Sequence, residues 1–190
     1  YREIKKIIKE KKIDIVHVHN TLNLISPSVY YAARTMKIPV VQTIHNFRLL
    51  CPGATFYRDG HICEDCVQHG LKCAVKHSCY RGSKIQTLAC VISTLIHRKL
   101  GIYRKINYIC LTDFNKRKLL DFNQINAKQV FVKPNFTFPP KVSNETDIFY
   151  LFIGRIEEIK GVSLILDAFE KMPDKHLVIA GTGTKLEEYK

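Results

Sequence analysis

Short apolar runs alternate with amphipathic stretches along most of the chain. Residues 2–12 place Ile4, Ile7 and Ile8 at helical spacing, and the nearly continuous β-branched run 13–19 is typical of a buried parallel strand. Further strands are predicted over 38–44, 106–111, 129–133, 148–153 and 176–180, and further helices after the N-cap Ser26, over 84–105, after Thr112 and over 161–171. This alternation predicts an α/β fold with parallel sheets.

Residues 46–82, which we call the cysteine segment, interrupt this alternation. They show no clear period, and loops of this length usually have a function. Five of the seven cysteines fall here: Cys51, Cys63, Cys66, Cys73 and Cys79. With interleaved histidines, this density favours a structural zinc site or thiol cluster, ahead of simple burial and then disulfides. Cys90 and Cys110 lie in apolar contexts and are interpreted as packing residues.

Composition and charge change near residue 140. Residues 1–140 carry 23 Lys and Arg against 8 Asp and Glu, whereas residues 141–190 carry 7 against 9. Pro134, Pro139, Pro140 and the polar run 143–147 predict a linker, so we expect domains over 1–140 and 141–190. The basic first part favours an anionic partner (a membrane surface, nucleic acid or a phosphorylated ligand) over a merely solvated basic surface.

Polar residues and glycines collect where the predicted strands end. In an open parallel sheet, ligands bind outside the carboxyl ends of the strands. The residues at those ends include His19, Asn20, His45, Asn46, Gly154, Arg155, Gly181 and Gly183. A ligand-binding edge is therefore expected, although glycine and asparagine also serve in turns.

The sharpest local cluster is Gly154-Arg155 followed by Lys160-Gly161. Gly154 lets the backbone approach a ligand, the Arg155 guanidinium suits phosphate oxygens, and Lys160 adds charge where the next helix begins. Together these residues predict a diphosphate-binding site. The alternative is two surface cations neutralised by Glu157 and Glu158, and spacing alone leaves the two interpretations equal.

Five segments together resemble a known family. They are 14–20, 43–46, 132–135, 152–161 and 179–183, with the sequences DIVHVHN, TIHN, VKPN, FIGRIEEIKG and IAGTG. In this order they resemble family 4-type retaining glycosyltransferases, and the resemblance covers nearly the whole chain. It implies the GT-B architecture of two Rossmann-like, doubly wound domains. Residues 1–140 would be part of the acceptor-side domain and 141–190 the start of the nucleotide-sugar-binding domain.

The resemblance implies roles for the strand-end residues. Gly154, Arg155, Lys160 and Gly161 resemble the site for the donor diphosphate, and His45 resembles the catalytic histidine that faces the reacting sugar. His19, Asn20 and Asn46 would line the acceptor side, while Gly181 and Gly183 would approach the nucleotide. Catalysis in this family requires no cofactor, so a structural zinc would be the only one expected.

The chain departs from the family pattern in three places. The glycine-rich loop would lie upstream of Tyr1 and the acidic motif with two glutamates beyond Lys190. Asn135-Phe136 replaces the usual Asn-Gly. We therefore expect a piece of a longer enzyme, inactive by itself, whose parent moves a hexosyl-type sugar from a nucleotide-diphosphate sugar.

The resemblance also implies acceptors and a location. Family members often act on lipid-linked or cell-envelope glycans, which implies a cytoplasmic protein able to lie at the inner face of the membrane. The apolar, basic-flanked segment 84–105 fits such an interfacial helix, with core packing as the alternative. A GT-B sugar-nucleotide epimerase or a zinc-containing nucleic-acid-binding module are the rival functions. Nucleic acid is not expected, since no recognition helix or aromatic platform is visible.

Overall fold

The computed structural model describes residues 1–21, 26–139 and 148–189. The chain divides into two compact units, Tyr1–Phe136 and Thr137–Lys190. Pro140 and the polar run 143–147, predicted to form a linker, lie outside the described residues. No helix in the described part is long and apolar enough to cross a membrane.

The first unit is built on a four-stranded parallel sheet. Its strands are β1 (Val16–Val18), β2 (Val40–Ile44), β5 (Asn107–Cys110) and β6 (Val130–Val132), in the spatial order β1-β2-β5-β6. The burial of β2 is nearly continuous, as expected of a strand covered on both faces. The predicted α/β class with parallel sheets is therefore confirmed.

Helices flank this sheet. They are α1 (Arg2–Glu10), α2 (Ser28–Thr35), α5 (Lys84–Lys99) and α6 (Asp113–Leu120), with 3₁₀ turns at Ile102–Lys105 and Ala127–Gln129. Thr112 caps α6 as predicted, because its hydroxyl accepts a hydrogen bond from the Asn115 amide at 3.1 Å.

Two details of the helix predictions are wrong. The single helix expected over 84–105 is two elements, because Gly101 takes a left-handed conformation (φ 65°) and ends α5 before the 3₁₀ turn. Ser26 is not the N-cap of α2, which is Pro27. The Ser26 hydroxyl instead accepts the Ser28 amide at 3.2 Å, in a local turn just before the helix.

A large apolar core holds the sheet and helices of the first unit together. Tyr30 and Tyr108 are almost fully buried at its centre, among side chains from α2, β5 and the 3₁₀ turn. The Tyr30 hydroxyl donates to the Gln42 side chain at 2.8 Å, and the Tyr108 hydroxyl donates to the Tyr103 carbonyl at 2.9 Å. Both buried hydroxyls are thus satisfied, as buried polar groups need to be.

The cysteine segment contains short regular elements that the sequence did not reveal. A hairpin joins β3 (Tyr57–Arg58) to β4 (His61–Ile62), and the one-turn helices α3 (Asp65–Gln68) and α4 (Lys72–Lys76) follow. Lys118 of α6 pairs with Glu64 at 2.6 Å, so the segment contacts the sheet domain.

The second unit is a parallel two-stranded sheet with one helix. β7 (Tyr150–Ile153) pairs with β8 (Leu177–Ala180), and α7 (Val162–Glu170) connects them after a 3₁₀ turn at Glu158–Lys160. Strand, helix and parallel strand in this order form a βαβ unit. The helix predicted over 161–171 thus begins one residue later, because Gly161 has φ 68°.

Candidate active site

Two pairs of polar side chains lie where β1 and β2 end. His19 Nδ1 is 2.8 Å from His45 Nε2, and the Asn46 amide donates to Asn20 Oδ1 at 3.0 Å. These strands are adjacent and parallel, so their carboxyl ends meet at one edge of the sheet. The structure therefore brings together the four residues that the sequence assigned to the acceptor side and to catalysis.

A cavity of about 140 Å³ opens beside these pairs. All four residues line it, together with Thr21, Gln42, Thr43, Arg48 and others that the sequence analysis did not single out. The sequence offered a signal for Gln42, which is a polar side chain in the mostly apolar predicted strand 38–44. The Tyr30 hydroxyl holds that side chain in place, so the cavity wall is fixed from the core.

The surroundings of His45 favour the neutral form of its imidazole. Partial burial lowers its pKa from 6.5, and the nearby His19 and His17 lower it further. In the contact between His45 and His19 one ring nitrogen donates and the other accepts, which neutral rings can do. This protonation state suits a side chain that accepts a hydrogen bond from a substrate hydroxyl.

His17 lies beside this pair. It is exposed, and its Nε2 atom is 2.8 Å from the Thr43 hydroxyl. The ring centroids of His17 and His19 are 4.5 Å apart. Three imidazoles thus cluster at the ends of two neighbouring strands. The spacing of His17 and His19 along one strand could not by itself predict that His45 of the next strand joins them.

In the second unit, the loops after β7 and β8 are in backbone contact. Gly154 N–H donates to the Ala180 carbonyl at 3.1 Å, and Ile156 N–H donates to the Thr182 carbonyl at 2.9 Å. A Cβ atom added to Gly181 would lie 1.8 Å from the Gly154 carbonyl oxygen, and one added to Gly183 would lie 2.0 Å from that of Ile156. Glycine at both positions therefore has a structural role: it permits this close approach.

These contacts hold the loop that presents Arg155 and Lys160. Both cations are exposed, and neither forms an ion pair within 4.0 Å among the described residues. Glu157, which the alternative interpretation used to neutralise them, instead accepts from the Thr184 hydroxyl at 2.8 Å. That hydrogen bond, one from the Thr184 amide and the charge of Arg155 lower the Glu157 pKa. Glu157 is thus hydrogen-bonded to Thr184 while it still lies within electrostatic range of Arg155.

Four of the five cysteines in the cysteine segment line one cavity of about 150 Å³, which we call the thiol cavity. They are Cys51, Cys63, Cys66 and Cys79, and Arg58 and His77 also contribute to its wall. Burial, together with the neighbouring Cys51 thiol, raises the pKa of Cys66 to about 12. No group of three or more His, Cys, Asp or Glu in the described residues is arranged to hold a metal ion as it stands, so the zinc site stays a prediction.

Two parallel α/β units, one with polar strand ends and one with glycines at its strand ends, are typical of the GT-B class of glycosyltransferases. Comparison with family models supports this class. Residues 1–87 match the model described as "Glycosyl transferase 4-like", and residues 135–190 match "Glycosyl transferases group 1". The first match contains His45 and all five cysteines of the cysteine segment; the second contains Arg155 and Lys160. No match was found among curated proteins.

Proposed function

We propose that this chain belongs to a retaining glycosyltransferase that moves a sugar from a nucleotide-diphosphate sugar to a cell-envelope or lipid-linked glycan. In this proposal the unit Thr137–Lys190 binds the donor and the unit Tyr1–Phe136 faces the acceptor. The family-model matches support glycosyl transfer in general. The choice of donor, acceptor and stereochemistry is our inference from the sequence motifs and the strand ends.

The observation that carries the proposal is the loop of Arg155 and Lys160. Two exposed cations without ion-pair partners among the described residues stand on a loop fixed by backbone hydrogen bonds to the next strand end. A rigid loop loses little conformational freedom when it binds a ligand. The combination suits an anionic ligand that must be held in one position.

A nucleotide-diphosphate leaving group needs this type of site. As the bond between sugar and phosphate breaks, negative charge grows on the diphosphate oxygens. The planar guanidinium of Arg155 can donate two parallel hydrogen bonds to them, and Lys160 adds a point charge. Interactions that strengthen as this charge develops stabilise the transition state more than the bound donor.

The acceptor side is assigned to the cavity at the ends of β1 and β2. His45 is exposed enough to contact a sugar hydroxyl, and its lowered pKa keeps the ring neutral. When His45 Nε2–H donates to His19 Nδ1, the Nδ1 atom of His45 is the acceptor for that hydroxyl. Asn20 and Asn46 hold each other through one hydrogen bond, which leaves further amide groups for sugar hydroxyls. We propose that these residues orient the sugar and the acceptor rather than bind the nucleotide.

Helix α5 supports an acceptor held at an anionic membrane surface. One face of the helix exposes Ile85, Leu88, Ile92, Leu95 and Ile96, each between 46% and 82% exposed. Exposed Lys84 and Lys99 stand at its two ends. An apolar stripe flanked by cations is the pattern of a helix that lies in the interface of anionic lipid.

The test is donor binding by the full-length protein. Arg155→Ala and Lys160→Ala are compared with Lys171→Ala, which removes an exposed cation at the far end of α7. A hydrogen bond to a charged group contributes about 1.5–3 kcal/mol, so each of the first two changes should weaken uridine or guanosine diphosphate sugar binding by about 10- to 150-fold. Calorimetry with each donor measures the effect.

Unchanged donor binding in both Arg155→Ala and Lys160→Ala would refute the diphosphate site. An equal loss in Lys171→Ala would show only a general effect of positive charge. Product analysis of the wild-type enzyme then checks stereochemistry, because retention predicts that the new bond keeps the anomeric configuration of the donor sugar.

A further inference from the structure

The second half of the cysteine segment has little apolar core of its own. Among residues 63–82, only Leu71 and Ala74 are buried apolar side chains, and they cluster with Val91 of α5. A packed core is what normally compensates the conformational entropy lost on folding. A segment with so small a core needs another source of stability, and small domains commonly obtain it from disulfides or a metal.

The backbone of the segment also carries strain. Five non-glycine residues have a positive φ between 51° and 71°: Ala54, Phe56, Asp59, Ser78 and Arg81. A left-handed conformation costs about 1 kcal/mol or more for a residue with a side chain. The surrounding structure must impose these turns. Ala54 and Phe56 are buried, whereas Asp59, Ser78 and Arg81 are not.

The thiol cavity lies where the strained turns converge. A Cβ atom built on Gly53 would be 3.6 Å from Cys51 Sγ and 3.6 Å from Cys79 Cβ, so the two ends of the segment meet there. Cys63 and Cys66 reach the same cavity from the C-x-x-C sequence that follows the β3–β4 hairpin. Cys73 does not line the cavity, although it belongs to the same segment.

We propose that the thiol cavity binds one structural Zn²⁺ through Cys51, Cys63, Cys66 and Cys79. On binding, the four thiols release four protons to solvent and four Zn–S bonds form, with no change of oxidation state. Four thiolate ligands in a tetrahedron are a common structural zinc site, and one C-x₂-C pair is typical of such sites. The metal would join both ends of the segment to the hairpin.

One cation lies on the wall of the thiol cavity. Four thiolates around Zn²⁺ leave a net charge of −2, and the guanidinium of Arg58, which also pairs with Asp65 at 3.1 Å, lies on the wall. Arg58 Nε is buried and has no hydrogen-bond partner among the described residues, although an Asp59 oxygen is 3.3 Å away. A zinc-bound thiolate would accept from this N–H, as partners outside the ligand shell do at metal sites.

Binding requires the thiols to turn towards a common point. The described side chains do not yet form a metal-holding group, and a tetrahedral site with Zn–S bonds of about 2.3 Å brings its sulfurs to about 3.8 Å from each other. The cavity of about 150 Å³ leaves room for side-chain rotation. Rotation about χ1 moves a sulfur between staggered positions while the backbone stays in place.

The experiment measures zinc in the full-length protein, purified without added metal or chelator. Elemental analysis should find one zinc per chain in the wild type, in Cys73→Ser and in His77→Ala, and a loss of zinc in Cys63→Ser and in Cys66→Ser. Because the last two variants can fail to fold, the wild type is also stripped of metal and reloaded with Co²⁺. Tetrahedral thiolate ligation then gives characteristic intense visible and near-ultraviolet absorption.

Three results would overturn the proposal. The first is wild-type protein without zinc that also gives no thiolate–cobalt absorption. The second is disulfides among the four cysteines in protein purified under reducing conditions, found by thiol counting and mass spectrometry. The third is zinc that is lost equally in Cys73→Ser, which would place the ion outside the thiol cavity, or in His77→Ala, which would make His77 a ligand in place of one of the four cysteines. None of these readouts depends on donor binding, so the proposed glycosyl transfer is tested separately.

Discussion

Replacing Gly181 by alanine should open the contact between the two loops of the second unit. The added Cβ would lie 1.8 Å from the Gly154 carbonyl oxygen, and real Cβ atoms essentially never come closer than 3.0 Å to such an atom. The backbones must therefore separate by about 1.2 Å, the difference between these distances. The Cβ atom has a fixed position on the backbone and its partner is a backbone carbonyl, so no side-chain rotation can relieve the clash.

The separation weakens the two hydrogen bonds that join the loops, from Gly154 N–H at 3.1 Å and Ile156 N–H at 2.9 Å. Two hydrogen bonds at about 1 kcal/mol each, with an overpacking cost of about 1–3 kcal/mol, predict a local destabilisation of roughly 3–5 kcal/mol. Because Arg155 lies between these amides, donor binding should weaken as well.

Hydrogen exchange measured by mass spectrometry on residues 150–156 is the suitable assay, because it reports local opening without assuming two-state unfolding. Gly154→Ala is the matched control for stability. Its Cβ would meet only the edge of the Phe152 ring at 3.2 Å, which a small ring movement relieves. Gly181→Ala should lose protection at these amides while Gly154→Ala keeps most of it. Equal protection in the two variants would refute the reasoning.

Two further predictions concern the first unit. The pKa of His45 is lowered from 6.5 by burial and then by His19 and His17, so the neutral imidazole and transfer activity should persist below pH 6.5 and be lost as pH falls through the lowered pKa. His19→Gln removes one cause of the lowered pKa, so the loss of activity on acidification should occur at a higher pH. The pH–rate profile and an NMR titration of His45 measure this shift. An unchanged pH dependence would contradict the electrostatic coupling between the two histidines. Ile92→Glu on α5 should weaken binding to anionic phosphatidylglycerol vesicles, measured by co-sedimentation, by about tenfold or more. Burying such a side chain in the lipid interface contributes about 1.5–3 kcal/mol to binding, and the change removes that contribution. Leu164→Glu, exposed in the second unit, is its control, and vesicle binding that neither change affects contradicts the interfacial helix.

The sequence was sufficient to predict the sheet and the edge where the polar residues meet. Apolar runs separated by amphipathic stretches specify parallel strands, and the carboxyl ends of neighbouring parallel strands must share an edge. That argument places His19 near His45 before any coordinates are known. It could not give the pairing of individual atoms, such as His17 with Thr43, because side-chain direction depends on the local twist and register.

The cysteine segment shows where sequence reasoning ends. Hairpin β3–β4 is only two residues per strand, and α3 and α4 are single turns, so no period could reveal them. Their turns use left-handed residues such as Asp59 and Ser78, for which the sequence gives only weak signals. The absence of Cys73 from the lining of the thiol cavity is likewise a result of tertiary packing, which spacing does not encode.

The close approach of Gly53 to Cys79 has a consequence for how this protein can vary. Because the segment leaves and rejoins the domain at nearly the same point, its interior can be lengthened or shortened without moving β2 or α5. Doubling the length of a flexible loop costs only about 0.6 kcal/mol in closure entropy. Gly70, whose surroundings are open, is a natural junction for such changes. The segment is therefore an exchangeable module beside the strand ends, one whose interior can be redesigned while the sheet stays the same.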